Sequence, residues 1–546
     1  MSYPNWSEVE KRFFQRQYIQ KQTTKIPYIL VDNFPDLGFL TSLRFLEWVS
    51  KNPEGVISLP TGKTPEYFIK WTHNFLSNWD DKDLIYLRKE NGLDIDQKPD
   101  LSRLKFVQID EFYPMDPSQH NSFFNYVNNF YLSGFGISRE NALLINCAEI
   151  PLVDAKQWKD IFPNSKIDLT LRYRDPKSEL EKVQQSSIYL IDQWCTEYEE
   201  KIRNMGGIGF FLGGIGPDGH IAFNVRGSDH NSTTRLMETN FETQAAAATD
   251  LGGIEISKNR LVITIGLASI TFKDDAVAII TAAGEAKASI VKYSLENLPD
   301  VKYPATVLQR CENSRFYLTH GAAKLLNDTE KEYWENSNWD DVKKQRALLR
   351  LAKRKNIFGK KLSIDDLEHD SFCKTIPGLG EGTVPEIIEK VHAKVQRGIK
   401  NETNEIYYHT GPHHDDIMLG MMPHIIHLIR EPSNSHHFVN MTSGFTSVTN
   451  GFITNILSFT LEFFLQGKIQ MTDFPDFFSE GYKLKWDKDV FHYLDSLAKV
   501  DKSEQNRALA HRVIRGLIKI YPIKDKNDLE GRINSIISEL MHCYDG

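Results

Sequence analysis

Between about Val31 and His320, apolar runs of four to seven residues alternate with longer stretches of helical periodicity. This alternation constrains the fold more than any other feature, because short runs buried on both faces suit a largely parallel sheet whose crossovers are helices. Strands are expected at Gly55–Leu59, Leu104–Ile109, Ile208–Leu212, Leu261–Gly266, Ala276–Thr281 and Arg315–Thr319. Helices fit between them, as in Leu40, Leu43, Leu46 and Val49 at i, i+3 spacing. The fold class expected is therefore α/β, a parallel sheet with helices on both faces. Ligands of such sheets bind beyond the carboxyl ends of the strands, so the loops there should carry the chemistry.

A chain of 546 residues is too long for one core of ordinary size. After residue 326 the sequence turns to charged helix formers such as DDVKKQRALLRLAKRKN, followed by the turn-rich PGLGEGTVP at 377–385. Residues 327–404 are read as a helical connector, with the Lys/Arg run as a solvated helix face. A second βαβ-like unit is expected from 405 to 546, with the strand NEIYYHT, the loop GPHHDD, a helix through Met418–Ile429 and the strand HHFVNMT. It is shorter than a complete α/β domain of this kind and is expected to be incomplete. A net charge of −8 creates no field that would draw a polyanion, so no nucleic-acid partner is expected. No membrane association is expected either, since the apolar stretch Ile456–Leu465 is short and interrupted by Glu462. The N-terminus has no apolar run of signal-peptide length, and the five cysteines at 147, 195, 311, 373 and 543 form no CxxC pair. A cytoplasmic protein with buried thiols is expected.

Five segments of the first domain point to chemistry. In PTGKTPEYFIKW, Gly62 permits a tight turn, Thr64 is placed to cap the next helix and Pro65 suits its first position, so Thr61–Thr64 and the Lys63 charge suit an anion. In VQIDEFYP, Asp110 and Glu111 follow a buried strand, where desolvation can tune a carboxylate as a general base or where an acid can simply cap a helix. GSDHNSTTR offers hydroxyls and Arg235, and AAGEAKAS puts Lys287 in the first turn of a helix, where a cation is unfavourable unless an anion joins it. In IGFFLGGIGPDGHIAFNVRGS, four glycines and a proline crowd Asp218 and His220 into one loop. A carboxylate beside an imidazole orients it and raises its basicity.

PTGKTP, IDEFYP, the histidine loop and the late lysine in AAGEAKA, in that order along the chain, resemble the glucosamine-6-phosphate deaminases, and GGIGPDGHIAFN is close to the signature of that family. The resemblance covers roughly residues 30–325. It implies a Rossmann-like fold that converts glucosamine 6-phosphate and water to fructose 6-phosphate and ammonia without cofactor or catalytic metal. It further implies that His220 opens the sugar ring with Asp218 orienting it. Asp110 would move a proton from C2 to C1 through an enediol-type intermediate. Thr61, Gly62, Lys63, Thr64, Gly216, Arg235 and Lys287 would bind the amino-sugar phosphate. Two departures stand out: Val225 occupies a position where the family has a glutamate in the histidine relay, and TQAAAATDLGG lacks the family's phosphate-binding arginine.

In the second unit, GPHHDDIMLG resembles the PHPDD motif of zinc-dependent N-acetylglucosamine deacetylases of the LmbE/PIG-L type. The resemblance implies zinc on His413 and Asp416, with Asp415 as general base. His414 stands where the motif has proline and Ile417 where it has an acid, and no later histidine, from His424 to His542, lies in a third-ligand context. Besides the deaminase, a bifunctional protein with a deacetylase and a noncatalytic sugar-phosphate binder remain open, as does homo-oligomerisation.

Overall fold

The computed structural model describes residues 5–119, 121–163, 166–244, 260–413, 415–441, 450–469, 472, 477–480, 488–498 and 501–542. They form two units that divide after Thr403. The strands of the first are β1 (Tyr28–Val31), β2 (Val56–Ser58), β3 (Lys105–Val107), β4 (Asp110–Tyr113), β5 (Ala142–Leu143), β6 (Phe210–Gly214), β7 (Arg235–Glu238), β8 (Leu261–Thr264), β9 (Val277–Ala282) and β10 (Ser314–Thr319). Seven make one sheet in the order β1-β10-β9-β6-β2-β3-β5, and every pair is parallel. The expected α/β class is what the chain forms. Strands β9 and β10 are buried along their whole length. The helix Phe34–Lys51 sets Leu40, Leu43, Leu46 and Val49 into one core with Phe45, Trp48 and Phe210. Each such side chain removed fully from water contributes roughly 1.5–3 kcal/mol, which fixes this helix on the sheet.

From β2 the chain moves outward through β3 to β5, then returns to β6 on the other side of β2 and moves outward through β9 and β10. The connections thus reverse between β2 and β6, and the loops after these strands border the crevice that this reversal leaves.

Two expected strands behave differently. The run Leu104–Ile109 stops at Val107, because the Gln108 side chain donates to the Asp110 carbonyl and accepts from Ile145 N–H, both at 2.9 Å, closing a bend. Asp110 therefore opens a new strand, β4. The run Leu261–Gly266 is not in the parallel sheet: β8 lies between β4 and β7 in a separate antiparallel sheet. A buried apolar run looks the same in either setting.

The connector forms the helices Asn327–Asn336, Asp341–Lys355 and Thr383–Ile399 around Trp334, Leu348, Leu351 and Leu367, and it groups with the first unit. Its Lys/Arg run is not all solvated. Lys343 is buried, donates to the carbonyls of Trp334 and Ser337, and lies 4.4 Å from the Trp339 ring centre.

The second unit begins with β11 (Ile406–Gly411) and β12 (Ser435–Asn440), parallel and joined by the helix Asp416–Ile429, as expected. The helices Asn450–Leu465, Lys502–Ile520 and Lys526–His542 follow, with a core around Leu457, Ile514, Leu529 and Ile533. Among the described residues no helix is long and apolar enough to cross a membrane. Cys147, Cys195, Cys311 and Cys373 are buried free thiols, and Cys543 lies outside the described residues.

Candidate active site

The expected loops leave the ends of four neighbouring strands, β3, β2, β6 and β9. After β2, Gly62 adopts φ +77°, in the left-handed region that favours glycine. The next helix, Glu66–Ser77, has Pro65 at its N-cap and no side-chain cap, so Thr64 does not cap it as the spacing suggested. Thr64 packs on the end of β6 instead: a Cβ built on Gly214 would lie 3.2 Å from Thr64 Cγ2. The Tyr126 hydroxyl donates to the Gly62 carbonyl at 3.0 Å and the Tyr131 hydroxyl to that of Pro60. Thr61 is half-buried and Lys63 is exposed.

In the loop after β6, His220 Nδ1 lies 2.6 Å from Asp218 Oδ1, while Asp218 Oδ2 accepts from Arg226 N–H at 3.0 Å and Asn240 Nδ2 at 2.7 Å. Burial works to raise the Asp218 carboxyl, but the His220 hydrogen bond and charge, the Arg226 amide and Asn240 outweigh it and hold it below the usual carboxylate range. An ionised Asp218 can only accept, so His220 donates to it through Nδ1, and among the described residues Nε2 has no hydrogen-bond partner. The imidazole packs directly on Gly216, where a Cβ would come within 2.0 Å of the ring, so only glycine fits. Asn240 is a participant that sequence reading missed. Its side chain accepts from Thr243 N–H at 3.0 Å just before the helical residues 241–244, a capping role that is legible, but its bond to Asp218, across 22 positions, is not.

The adjacent acids separate cleanly. Glu111 accepts four hydrogen bonds, from the backbone N–H of Phe112, Phe123 and Phe124 and from the Ser122 hydroxyl. Burial pushes its carboxyl up to about 7 against those hydrogen bonds. Asp110 is 7% exposed, and among the described residues no hydrogen bond to its carboxylate is formed. Burial, then the neighbouring Glu111 charge, drives its pKa well above the usual range. The capping role thus falls to Glu111, and Asp110 is left as the free carboxylate.

Thr264 joins the two halves. It pairs with Asp110 on one side and Arg235 on the other, and its hydroxyl accepts from Phe223 N–H at 3.1 Å. Arg235 braces the histidine loop, donating to Asn224 Oδ1 at 2.9 Å and Ser228 Oγ at 3.1 Å. Lys287 is the N-cap residue of the helix Ala288–Glu296 rather than a first-turn residue, and its ammonium donates to the Ile215 carbonyl at 2.8 Å. Burial lowers its pKa, partly offset by the Asp218 charge. Val225 is half-buried, and its N–H donates to the Phe223 carbonyl. Residues 245–253, most of the TQAAAATDLGG segment, lie outside the described residues.

A glucosamine-6-phosphate deaminase of Borrelia hermsii is 31% identical over 299 residues, 53% of this chain and 88% of its own length. The chain belongs to the glucosamine-6-phosphate deaminase family. A glucosamine-6-phosphate isomerase of Candida albicans is 37% identical over 136 residues, a match that spans about half of that relative's length (54%). A glucosamine-6-phosphate deaminase of Clostridium perfringens is 25% identical over 298 residues, 98% of its length. The solved structure of a monomeric glucosamine-6-phosphate deaminase aligns with 55% of this chain at 18% identity, with a TM-score of 0.41. No family model matches the chain. The family match therefore covers about half of the chain.

In the second unit, ligand atoms of His413, Asp415 and Asp416 lie within 4.8 Å of one another. Asp416 Oδ2 accepts from His413 N–H at 2.9 Å and stands 3.5 Å from His413 Nδ1. His414 lies outside the described residues, as does the side chain of His542. His436 is bonded to His409 at 2.9 Å, and His492 to Glu504 at 2.6 Å.

Proposed function

We propose that the first unit converts glucosamine 6-phosphate and water to fructose 6-phosphate and ammonia. The carrying observation is a buried carboxylate without hydrogen-bond partners among the described residues, Asp110, tied through Thr264 to the loop of an oriented Asp218–His220 pair. The free Nε2 of His220 suits proton transfer between the anomeric hydroxyl and the ring oxygen, which opens the pyranose to its aldehyde. Asp110 then takes the C2 proton. The electrons of that C–H bond form the C1–C2 double bond while the C1=O π pair moves to oxygen, which takes a proton from the C2 ammonium to give an enolamine, and return of the first proton at C1 leaves a protonated imine at C2. Water adds to the imine carbon and ammonia departs, so atoms balance without a redox step. Loop 61–64 and Lys287 would hold the phosphate, a remote contact whose binding energy positions C2 over Asp110. Family membership and the buried acid support this reading. Ammonia release from glucosamine 6-phosphate by the purified chain tests it, and binding of the sugar phosphate without ammonia release would favour the noncatalytic binder.

A second reading attaches to the second unit, because His413, Asp415 and Asp416 are close enough to share one ion. His413 and Asp416 would hold zinc, with Asp415 beside it as the base. Bound zinc would supply an acidified water for removal of an N-acetyl group. Metal content together with acetate release from N-acetylglucosamine 6-phosphate tests this reading.

A further inference from the structure

Glu111 lies beside the proposed base, yet the mechanism above gives it no task. Its hydrogen bonds lead elsewhere. Oε1 accepts from Phe112 N–H at 3.0 Å and Phe123 N–H at 3.2 Å, and Oε2 accepts from Ser122 Oγ and Phe124 N–H, both at 2.8 Å. Phe123 and Phe124 open the helical segment 123–133 and Ser122 is its N-cap, and the N-terminal amides of such a segment favour an acceptor bearing negative charge. The same segment carries Tyr126 and Tyr131, and their hydroxyls donate to the carbonyls of Gly62 and Pro60. Gly62 is at φ +77°, and a Cβ there would meet nothing within 4 Å, so the turn is open on that side and its backbone is held by the tyrosine hydroxyls. A continuous set of hydrogen bonds thus runs from the residue after Asp110 to the backbone of the anion loop.

We propose that Glu111 is a positioning residue: through Ser122–Phe124 and the Tyr126 and Tyr131 hydroxyls, it sets loop 60–62 at a fixed place relative to Asp110. The inference rests on the deaminase reading, since it takes loop 61–64 to hold the phosphate. Its consequence is that the phosphate end of the substrate and the C2 end are registered by one buried carboxylate. Loosening that link should weaken phosphate binding first and leave the intrinsic proton transfer largely intact.

The test uses the full chain, glucosamine 6-phosphate titrated by calorimetry, and steady-state ammonia release. Tyr126→Phe removes one hydroxyl and should weaken binding and raise KM by about fivefold to tenfold, the scale of one hydrogen bond, with kcat within about twofold and its pH profile unmoved. Glu111→Gln turns a donor toward amides that need an acceptor and should weaken binding at least as much. The double variant should be no weaker than Glu111→Gln alone, because both changes break one path. If Glu111→Gln fails to unfold cooperatively, Tyr126→Phe combined with Tyr131→Phe replaces it, with the same KM-weighted loss expected. Wild-type affinity in Tyr126→Phe, a loss confined to kcat, or full additivity in the double variant would overturn the proposal. A wild-type chain that binds no sugar phosphate would instead sink the deaminase reading, and this role with it.

Discussion

Both units run a parallel strand into a loop that carries histidine and aspartate, and the two loops differ in what surrounds them. In the first, Asp218 is buried with each oxygen engaged, the imidazole packs on Gly216, and Asp110 is shut away from water. In the second, the side chains of His413 and Asp416 are 40% and 41% exposed. The sheets differ in the same way: β9 and β10 are wholly buried, whereas Ile406 and Tyr408 of β11 and Phe438 of β12 are more than half exposed. Parallel strands normally carry cover on both faces. A motif supplies donor atoms, but the enclosing shell sets their pKa values, tautomers and distances, and among the described residues only the first loop has one.

The largest expected effect tests this directly. Asp110→Asn should lower kcat by on the order of 10³-fold or more while leaving sugar-phosphate binding within a few-fold, since it removes the proton acceptor but few ground-state contacts. In the wild type, burial and then Glu111 raise the Asp110 pKa, and the base works only when ionised. The acidic limb of the kcat/KM profile should therefore lie above the ordinary carboxylate range, with activity rising as pH rises through it. Near-normal turnover in Asp110→Asn would remove the general-base assignment. Next in size is Asn240→Ala, which removes one of the two donors to Asp218 Oδ2 and should cost about 10- to 100-fold in kcat with a smaller change in KM, the range of a lost orienting partner. Full activity in this variant would mean that the Arg226 amide alone fixes the pair.

How much of this was legible depended on distance along the chain. The Asp218–His220 loop could be read because its parts are contiguous and its glycines announce crowding, and the imidazole does fill the space over Gly216. That an acid pair ends the strand was also visible. Nothing local shows that Glu111 takes every helix donor and Asp110 none, because Ser122–Phe124 lie 11 to 13 positions on. Asn240, Thr264 and Tyr126 reach the site only through tertiary packing. The direction of β8 was illegible for the same reason, since a short apolar run does not reveal its partners. Lys343 is different: its partners Trp334, Ser337 and Trp339 are close in sequence, and the surrounding basic run masked them.

On the exposed side of the comparison, His413→Ala and Asp416→Asn should leave ammonia release within about twofold. The chain should retain well under one zinc per molecule after dialysis and release no measurable acetate from N-acetylglucosamine 6-phosphate. A catalytic zinc usually takes three protein ligands and an open position, and partners behind those ligands hold them in place. Among the described residues, His413, Asp415 and Asp416 are the only cluster of this kind, and they have little enclosure. Stoichiometric zinc, with acetate release lost in Asp415→Asn, would show that an exposed loop can be as competent as the buried one.

The smallest expected effect is on stability, and it shows the enclosure of the first loop in the sign of a pH dependence. Asp110 has its folded-state pKa raised above the unfolded value, by burial first and the Glu111 charge second. Between those two values the folded chain keeps a proton that the unfolded chain releases, so this contribution is fully present below the unfolded value and is lost as pH rises toward the folded one. Asparagine cannot ionise and escapes the loss. Asp110→Asn should therefore match the wild type in thermal midpoint below about pH 4, where the unfolded carboxyl is protonated as well. It should then exceed the wild type increasingly as pH rises, by an amount on the order of 2–4 °C for each kcal/mol relieved. Midpoints measured across pH for the wild type and Asp110→Asn decide the matter. Parallel curves for Asp110→Asn and the wild type would mean that the first loop does not hold a desolvated acid.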